Sequence, residues 1–294
     1  MIHIYESPQT AGIGQDALSH LEEQRVPEPA VPADPVTPPQ EQDGFRLEGI
    51  GRHQWSPSSD FLVTLARRGA GVEQFRRLRS RMSGLRDDAP LKTIVVSSGL
   101  PEEGKTFVAA NLAMSLGRNG NKNILLIDGD LRRPKLHELL GAPPAPGLSE
   151  YLAGMADLTE IMQRDVRSKP PGTTGAGGIS ALTFIPAGKC GDNSSELVAN
   201  RRIEHLIAAL SPHFDWILID ASPVLVVTDA VDLARSADAV VLVARAGITR
   251  FREVQRAQAA FGSSRILGVV LNAVRGKANR DYYYNYHRKE HAEV

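Results

Sequence analysis

The stretch "KTIVVSSGLPEEGKTFVAANLAMSLGRNG", residues 92–120, decides the fold. Residues 92–98 are apolar and β-branched, the composition of a buried strand. Residues 99–106, "GLPEEGKT", match the pattern G-x-x-x-x-G-K-[ST] in full. Residues 105–120 read as a helix with small residues on its packing face, ended by Gly117 or Gly120. A strand, a glycine-bearing loop and a helix in this order make a phosphate cradle. The glycines let the backbone curl until its amides converge on phosphate oxygens. The helix N-terminus adds its partial positive charge. The expected nucleotide contacts are Gly99, Pro101, Glu102, Glu103, Gly104, Lys105, Thr106 and Phe107. Lys105 would reach the outer phosphates of ATP, and the Thr106 hydroxyl would hold Mg²⁺.

Further apolar strands are expected at 123–128, 182–187, 216–220, 239–244 and 266–272. Helical stretches are expected at 72–82, 195–210, 228–237 and 249–261. Apolar strands alternating with helices imply an α/β fold with a mostly parallel central sheet and helices on both faces. Residues 168–180 form a Gly/Pro-rich loop, and there is no internal repeat. Two strands end in aspartate: Asp128, with Asp130 two residues on, and Asp220. Ligands of open parallel sheets bind at the carboxyl ends of strands, and carboxylates there hold Mg²⁺ directly or through water. Metal contacts are therefore expected from Thr106, Asp128 and Asp220.

Residues 1–70 differ from this core. Residues 26–39, "VPEPAVPADPVTPP", hold six prolines, which exclude a helix or central strand. The expectation is an extended, largely disordered N-terminal arm, with a weakly packed helix at 60–68. Lys plus Arg and Asp plus Glu are 34 each, so no net charge draws the chain to nucleic acid or an anionic membrane. Cys190 is the single cysteine, which excludes an internal disulfide and suits a reducing compartment. No apolar run approaches the ~18 residues of a membrane span, and the start lacks a secretory pattern. A soluble, cytoplasmic protein is expected.

The P-loop NTPase fold implied here resembles, in its details, a bacterial tyrosine kinase of the type paired with exopolysaccharide export. The resemblance runs over roughly residues 70–290. It rests on the loop itself and on "ILLIDGDLRRP" (124–134), similar to the family's additional acidic motif. It rests also on "ILIDASPV" (217–224), similar to its Walker B strand, though Ser222 stands where the family has a second proline. Glu73, Arg76 and Arg79 fit E-x-x-R-x-x-R, linked in the family to ring-shaped self-assembly. "PGLSEYLAG" (146–154) and "IPAG" (185–188) are further shared segments. Glu102 replaces the usual glycine of the loop. The resemblance divides the chain into the arm (1–70), a kinase domain (71–274) and a tyrosine-rich tail (275–294).

Tyr282, Tyr283, Tyr284 and Tyr286 fall in that tail, although the protein has only 6 tyrosines. The resemblance makes them the phosphoacceptors of an autokinase acting in trans. It makes Lys105 catalytic and Asp128 the proton acceptor, with Asp130 as second candidate. Arg132 and Arg133 would contact phosphate or a neighbouring subunit. The implied partners are a separate membrane-bound polysaccharide co-polymerase that activates the kinase, further copies of the chain and a cognate tyrosine phosphatase. The implied setting is the inner face of a bacterial inner membrane.

A second reading is a non-kinase ATPase of the partitioning or positioning type. Those relatives carry K-G-G-x-G-K-[ST], whose first lysine would fall at Leu100; it is absent. A third is a regulatory scaffold that binds nucleotide without transferring phosphate.

Overall fold

The computed structural model describes residues 4–5, 47–88, 90–118, 122–168, 178–189, 197–198 and 202–274. The tyrosine tail, Cys190 and most of the 168–180 loop lie outside them.

Among the described residues nine strands form one sheet: β1 (Ile4–Tyr5), β2 (Gly51–His53), β3 (Thr93–Ser98), β4 (Ile124–Asp128), β5 (Gln163–Asp165), β6 (Leu182–Ile185), β7 (Trp216–Asp220), β8 (Ala239–Arg245) and β9 (Ile266–Asn272). Their order is β1-β9-β8-β3-β7-β4-β6-β5-β2. The β9-β8-β3-β7-β4-β6 block is parallel throughout; β1 joins β9, and β5 joins β6, antiparallel. The P-loop strand β3 is thus central, with β7 on one side and β8 on the other.

Seven α-helices accompany it among the described residues: α1 (Ala70–Asp88), α2 (Lys105–Gly117), α3 (Leu136–Leu140), α4 (Leu148–Leu152), α5 (Arg202–Leu210), α6 (Asp229–Arg235) and α7 (Phe251–Ala260). Successive side chains of a strand point to opposite faces, and the core divides accordingly. Val95, Leu125, Ile127, Ile217 and Ile219 face one layer with Ile203, Leu206, Leu233 and Ala257 of α5, α6 and α7. Ile94, Val96, Leu126 and Leu218 face the other, with Phe75 and Leu78 of α1 and Val108 and Leu112 of α2. The central strands are buried at every position, which is why they read as unbroken apolar runs.

The boundary at residue 70 needs correction. Residues 47–70 pack on the domain. Trp55 is buried, lies edge-on to Phe184 at 6.1 Å, and donates its indole N–H to Gln163 Oε1 at 3.1 Å. β2 pairs parallel with β5, and the Arg52 side chain donates to the Ser168 carbonyl at 2.8 Å. In place of a weakly packed helix at 60–68 there is one 3₁₀ turn, Val63–Leu65. It is held firmly: Leu62 is fully buried, and the Thr64 amide and hydroxyl both donate to Asn111 Oδ1 of α2. The proline-rich composition of 26–39 does not extend here.

Candidate functional site

The loop between β3 and α2 is shaped by its own sequence and by residues far away. Gly104 adopts φ 93° at the N-cap of α2, where a side chain would collide with the Asn272 amide at 2.0 Å. Asn272 Nδ2 donates to the Glu103 carbonyl at 3.0 Å, and Arg245 Nη1 to the Glu102 carbonyl at 2.9 Å. Glu103 itself is buried. Its Oε2 accepts from the Leu100 amide at 2.8 Å and its Oε1 from the Thr249 hydroxyl. The Glu103 carboxylate therefore braces the loop from behind and is not free to meet a nucleotide.

Glu102 has φ 63°, a left-handed conformation unusual for a non-glycine residue, and its side chain is exposed. Phe107 packs its ring on Phe75 at 5.8 Å, so only its backbone amide is available to a phosphate. The first amides of an α-helix lack intrahelical acceptors, and those of Lys105, Thr106 and Phe107 open α2. The cradle fits the phosphates of ATP on these grounds.

Lys105 leaves α2 toward three carboxylates. Its Nζ donates to Asp130 Oδ2 at 2.7 Å, stands 3.6 Å from Asp220 Oδ1, and donates to the Thr106 hydroxyl at 3.3 Å. Burial alone would lower the Lys105 pKa, but Asp220 and Asp130 overcome it and raise the value. Asp130 is fixed from its other side: Oδ1 accepts from the Ser222 hydroxyl at 2.8 Å and the Arg133 amide at 3.1 Å. Arg132 reaches away from this cluster to Asp229 at 3.0 Å.

Asp128 and Asp220 are register partners at the ends of β4 and β7. Gly129 makes the close approach possible. Its amide donates to the Asp220 carbonyl at 2.8 Å, and an added Cβ would meet Ile219 and Leu233 at 2.9 Å. Asp128 Oδ2 accepts from the Lys135 and Leu136 amides at 3.2 and 3.0 Å, at the start of α3. Its Oδ1 and both oxygens of Asp220 are buried and form no close hydrogen bond; Lys105 Nζ lies 3.6 Å from Asp220 Oδ1. Burial first, and then the charge of Asp220, hold Asp128 well above the ordinary carboxylate range. Asp220 is raised by burial and pulled back by Lys105 and the Thr106 hydroxyl.

Such orphaned carboxylate oxygens beside a threonine hydroxyl fit a hydrated Mg²⁺, which takes one or two carboxylates plus substrate phosphates and water. They do not make a closed protein cage, and among the described residues no group of three or more metal-ligating side chains does. Thr106, Asp128 and Asp220 are the residues that would hold the ion.

Lys105, Thr106, Asp128, Asp130 and Asp220 thus lie together at the carboxyl edge of the sheet. Glu73, Arg76 and Arg79 lie elsewhere, on α1. Arg76 pairs with Glu73 within its own helix (Nε–Oε2 2.8 Å), and Arg79 Nη1 donates to the Ser115 carbonyl at 2.8 Å. Sequence reasoning missed Ser222, Thr249, Asn272 and Arg245 as supports of the site. It also left unexplained the two shared segments at 146–154 and 185–188. They pack on one another, with Leu148 and Ser149 amides donating to the Pro186 and Ala187 carbonyls at 2.8 and 2.9 Å.

The chain matches the CobQ/CobB/MinD/ParA nucleotide binding domain family over residues 94–294. The tyrosine-protein kinase Wzc of Salmonella typhimurium is 33% identical over 245 residues, covering 82% of this chain and 32% of Wzc. The chain therefore spans less than a third of the length of that curated relative. Among solved structures, the kinase domain of Escherichia coli tyrosine kinase ETK superposes with TM-score 0.64 at 29% identity, over 79% of this chain and 87% of that domain. The BceF tyrosine kinase domain does so with TM-score 0.63 at 33% identity, over 73% and 82%. Among the described residues no helix is long and apolar enough to cross a membrane.

Proposed function

For a chain that belongs to the bacterial tyrosine kinases of the CobQ/CobB/MinD/ParA nucleotide-binding family, we propose an ATP-dependent tyrosine autokinase that modifies its own terminal tyrosine cluster in trans. The observation that carries the reading is the convergence of Lys105 with Asp128, Asp130 and Asp220 at the carboxyl edge of the sheet. A cradle alone would serve any nucleotide-binding switch. A buried carboxylate with one uncommitted oxygen beside it also supplies a proton acceptor.

The cradle amides and Lys105 hold the phosphates and stabilise charge on the transferring group. Mg²⁺, when bound, neutralises charge on the β- and γ-phosphates. The tyrosine oxygen forms a bond to the γ-phosphorus while the bond from that phosphorus to the ADP oxygen breaks. The tyrosine proton passes to Asp128. Asp128 Oδ1 is buried at the site and engaged by no donor, so it is open to receive that proton. Asp130, tied to Lys105 and Ser222, positions the lysine, so Asp128 is the better candidate for the proton.

Tyr282, Tyr283, Tyr284 and Tyr286 are the proposed acceptors. Each phosphate adds close to two negative charges, and several in a row would repel subunits gathered through Glu73, Arg76 and Arg79. The proposed activator is a membrane-bound polysaccharide co-polymerase. Ile248 and Phe251 support docking near the nucleotide: they are 66% and 75% exposed and flank Thr249, which touches the loop. The chain would then work at the cytoplasmic face of a bacterial inner membrane, in polysaccharide polymerisation and export, with a tyrosine phosphatase resetting it.

The test is phosphopeptide mapping of residues 276–294 in protein from its own cells, beside a Lys105→Met control. Phosphate on the tail that vanishes in the control is the expected result. ATP hydrolysis with no phosphate in either sample would overturn the proposal.

A further inference from the structure

A second cationic feature lies away from the nucleotide. A cleft of ≈ 320 Å³ opens between the start of α1, the end of α2 and the 63–69 segment. Arg67, Arg68, Arg76, Arg79 and Arg118 line it, and Glu73 is the one carboxylate among the lining residues. Ser115 and Arg118, on its floor, follow Lys105 by ten or more residues along α2. That is ~15 Å at the helical rise, so the cleft is separate from the phosphate cradle.

The charges in it are not balanced from within. Glu73 is taken up by Arg76. Arg79 donates to the Ser115 carbonyl at 2.8 Å, and Arg118 to the Thr64 and Ala66 carbonyls. These bonds orient two guanidinium groups without neutralising either. Arg67 and Arg68 form no ion pair with a carboxylate among the described residues and are exposed at the rim. Burial, and then the charges of Arg76 and Arg118, push the Arg79 pKa down, the mark of a cation crowded by its own kind. Helix capping explains Arg79, and the bonds to Glu73 and to the Thr64 and Ala66 carbonyls engage Arg76 and Arg118; none of these explains Arg67 and Arg68, or offsets the excess of positive charge in the cleft.

We propose that this cleft is a binding site for a phosphate-bearing polyanion, held by Arg67, Arg68, Arg79 and Arg118. Guanidinium forks match phosphate oxygens two at a time, and each arginine has five N–H donors, of which the carbonyl bonds use few. The carbonyl-anchored Arg79 and Arg118 supply a preformed floor. Arg67 and Arg68 close over the anion from the rim. The phosphate can be offered by a free small molecule or by a phosphorylated tyrosine on another chain. The chemistry of recognition is the same, and the site stands whether or not the kinase reading does.

The test is calorimetric titration of the full chain, saturated with ADP so that the cradle is filled, in 150 mM KCl (a Debye length of ~8 Å). The probes are inorganic pyrophosphate and a peptide of residues 279–290 phosphorylated on Tyr284. One further binding event with Kd below ~1 mM is expected, weakened at least about tenfold in Arg67→Gln/Arg68→Gln. Those exposed positions leave the thermal midpoint unchanged. Tighter binding of the peptide assigns the phosphate to a modified chain; tighter binding of pyrophosphate assigns it to a free ligand. Either supports the site. No event in ADP-saturated protein, or an event untouched both by that double variant and by Arg118→Gln, overturns it.

Discussion

Asp128 and Asp220 stand directly opposite each other in the register of β4 and β7, both wholly buried, with three of their four carboxylate oxygens forming no close hydrogen bond. Lys105, 3.6 Å from Asp220, is the cation nearest to balancing them, and it is shared with Asp130. Two like charges buried side by side raise each other's proton affinity. The pair is costly to the empty protein and useful only when something positive is bound.

Asp128→Asn should therefore stabilise the nucleotide-free protein while abolishing tyrosine phosphorylation. Asp128 and Asp220 have folded pKa values above their unfolded ones. The folded state thus binds more protons than the unfolded one. The stability this contributes is complete below the ordinary carboxylate range and is lost as pH rises through the raised folded values. The variant escapes that loss. Thermal midpoints of the two proteins should converge near pH 4 and separate toward pH 8, by ~2–4 °C per kcal/mol relieved. Equal midpoints across that range would show that the pair carries no such strain.

Glu103→Ala should weaken ADP binding at least about tenfold, through lost shape alone. Its carboxylate accepts from Leu100 and Thr249 and has no path to the ligand. Removing it leaves the Leu100 amide unsatisfied, at ~1–3 kcal/mol. Thr249→Val removes the other partner and should give a smaller effect of the same sign. Fluorescence titration with a labelled ADP measures both, and unchanged affinity in Glu103→Ala would remove the bracing role.

Glu102→Gly should change little. The side chain is exposed, and its left-handed backbone costs ~1–2 kcal/mol in a non-glycine residue. Glycine removes that strain but adds freedom to the unfolded chain, at ~0.5–1 kcal/mol. ADP affinity should stay within about twofold, and a urea midpoint shifted modestly upward checks the strain. A large gain in affinity would mean that Glu102 does obstruct the phosphates.

The reach of the sequence followed the locality of the interactions. The cradle was legible because its residues are consecutive, and Asp128 and Asp220 because each closes an unbroken apolar run. The supports were not legible. Arg245, Thr249 and Asn272 meet the loop from 143, 146 and 169 residues away, and no local pattern connects them. β5 is "QRD", polar yet buried at all three positions, against every periodicity rule. α3 and α4 have five residues each, too few to show a helical period. β2 is exposed at all three positions, so nothing marked residues 47–70 as part of the domain.

Trp55→Ala is the variant that tests that last point. Were the domain to begin at residue 71, Trp55 would lie in a loose arm, and its loss would cost less than 0.5 kcal/mol. In the structure its ring is buried against Phe184, its indole N–H meets Gln163 and its amide meets Asp165 Oδ2 at 3.1 Å. Truncation would leave a cavity in the layer that also holds α2, and would strand the Gln163 side chain. The expected loss is ~3–5 kcal/mol, a urea midpoint shift well outside error. Gln163 reaches the Pro143 carbonyl at 2.9 Å as well, so Trp55→Phe, which keeps most of the ring volume, should lose about 1 kcal/mol for the missing indole bond. A chain starting at residue 71 should be destabilised at least as much as Trp55→Ala, because it also loses Leu62 and the Thr64–Asn111 bonds. If it unfolds at the same urea concentration as the full chain, residues 47–70 are an appendage after all.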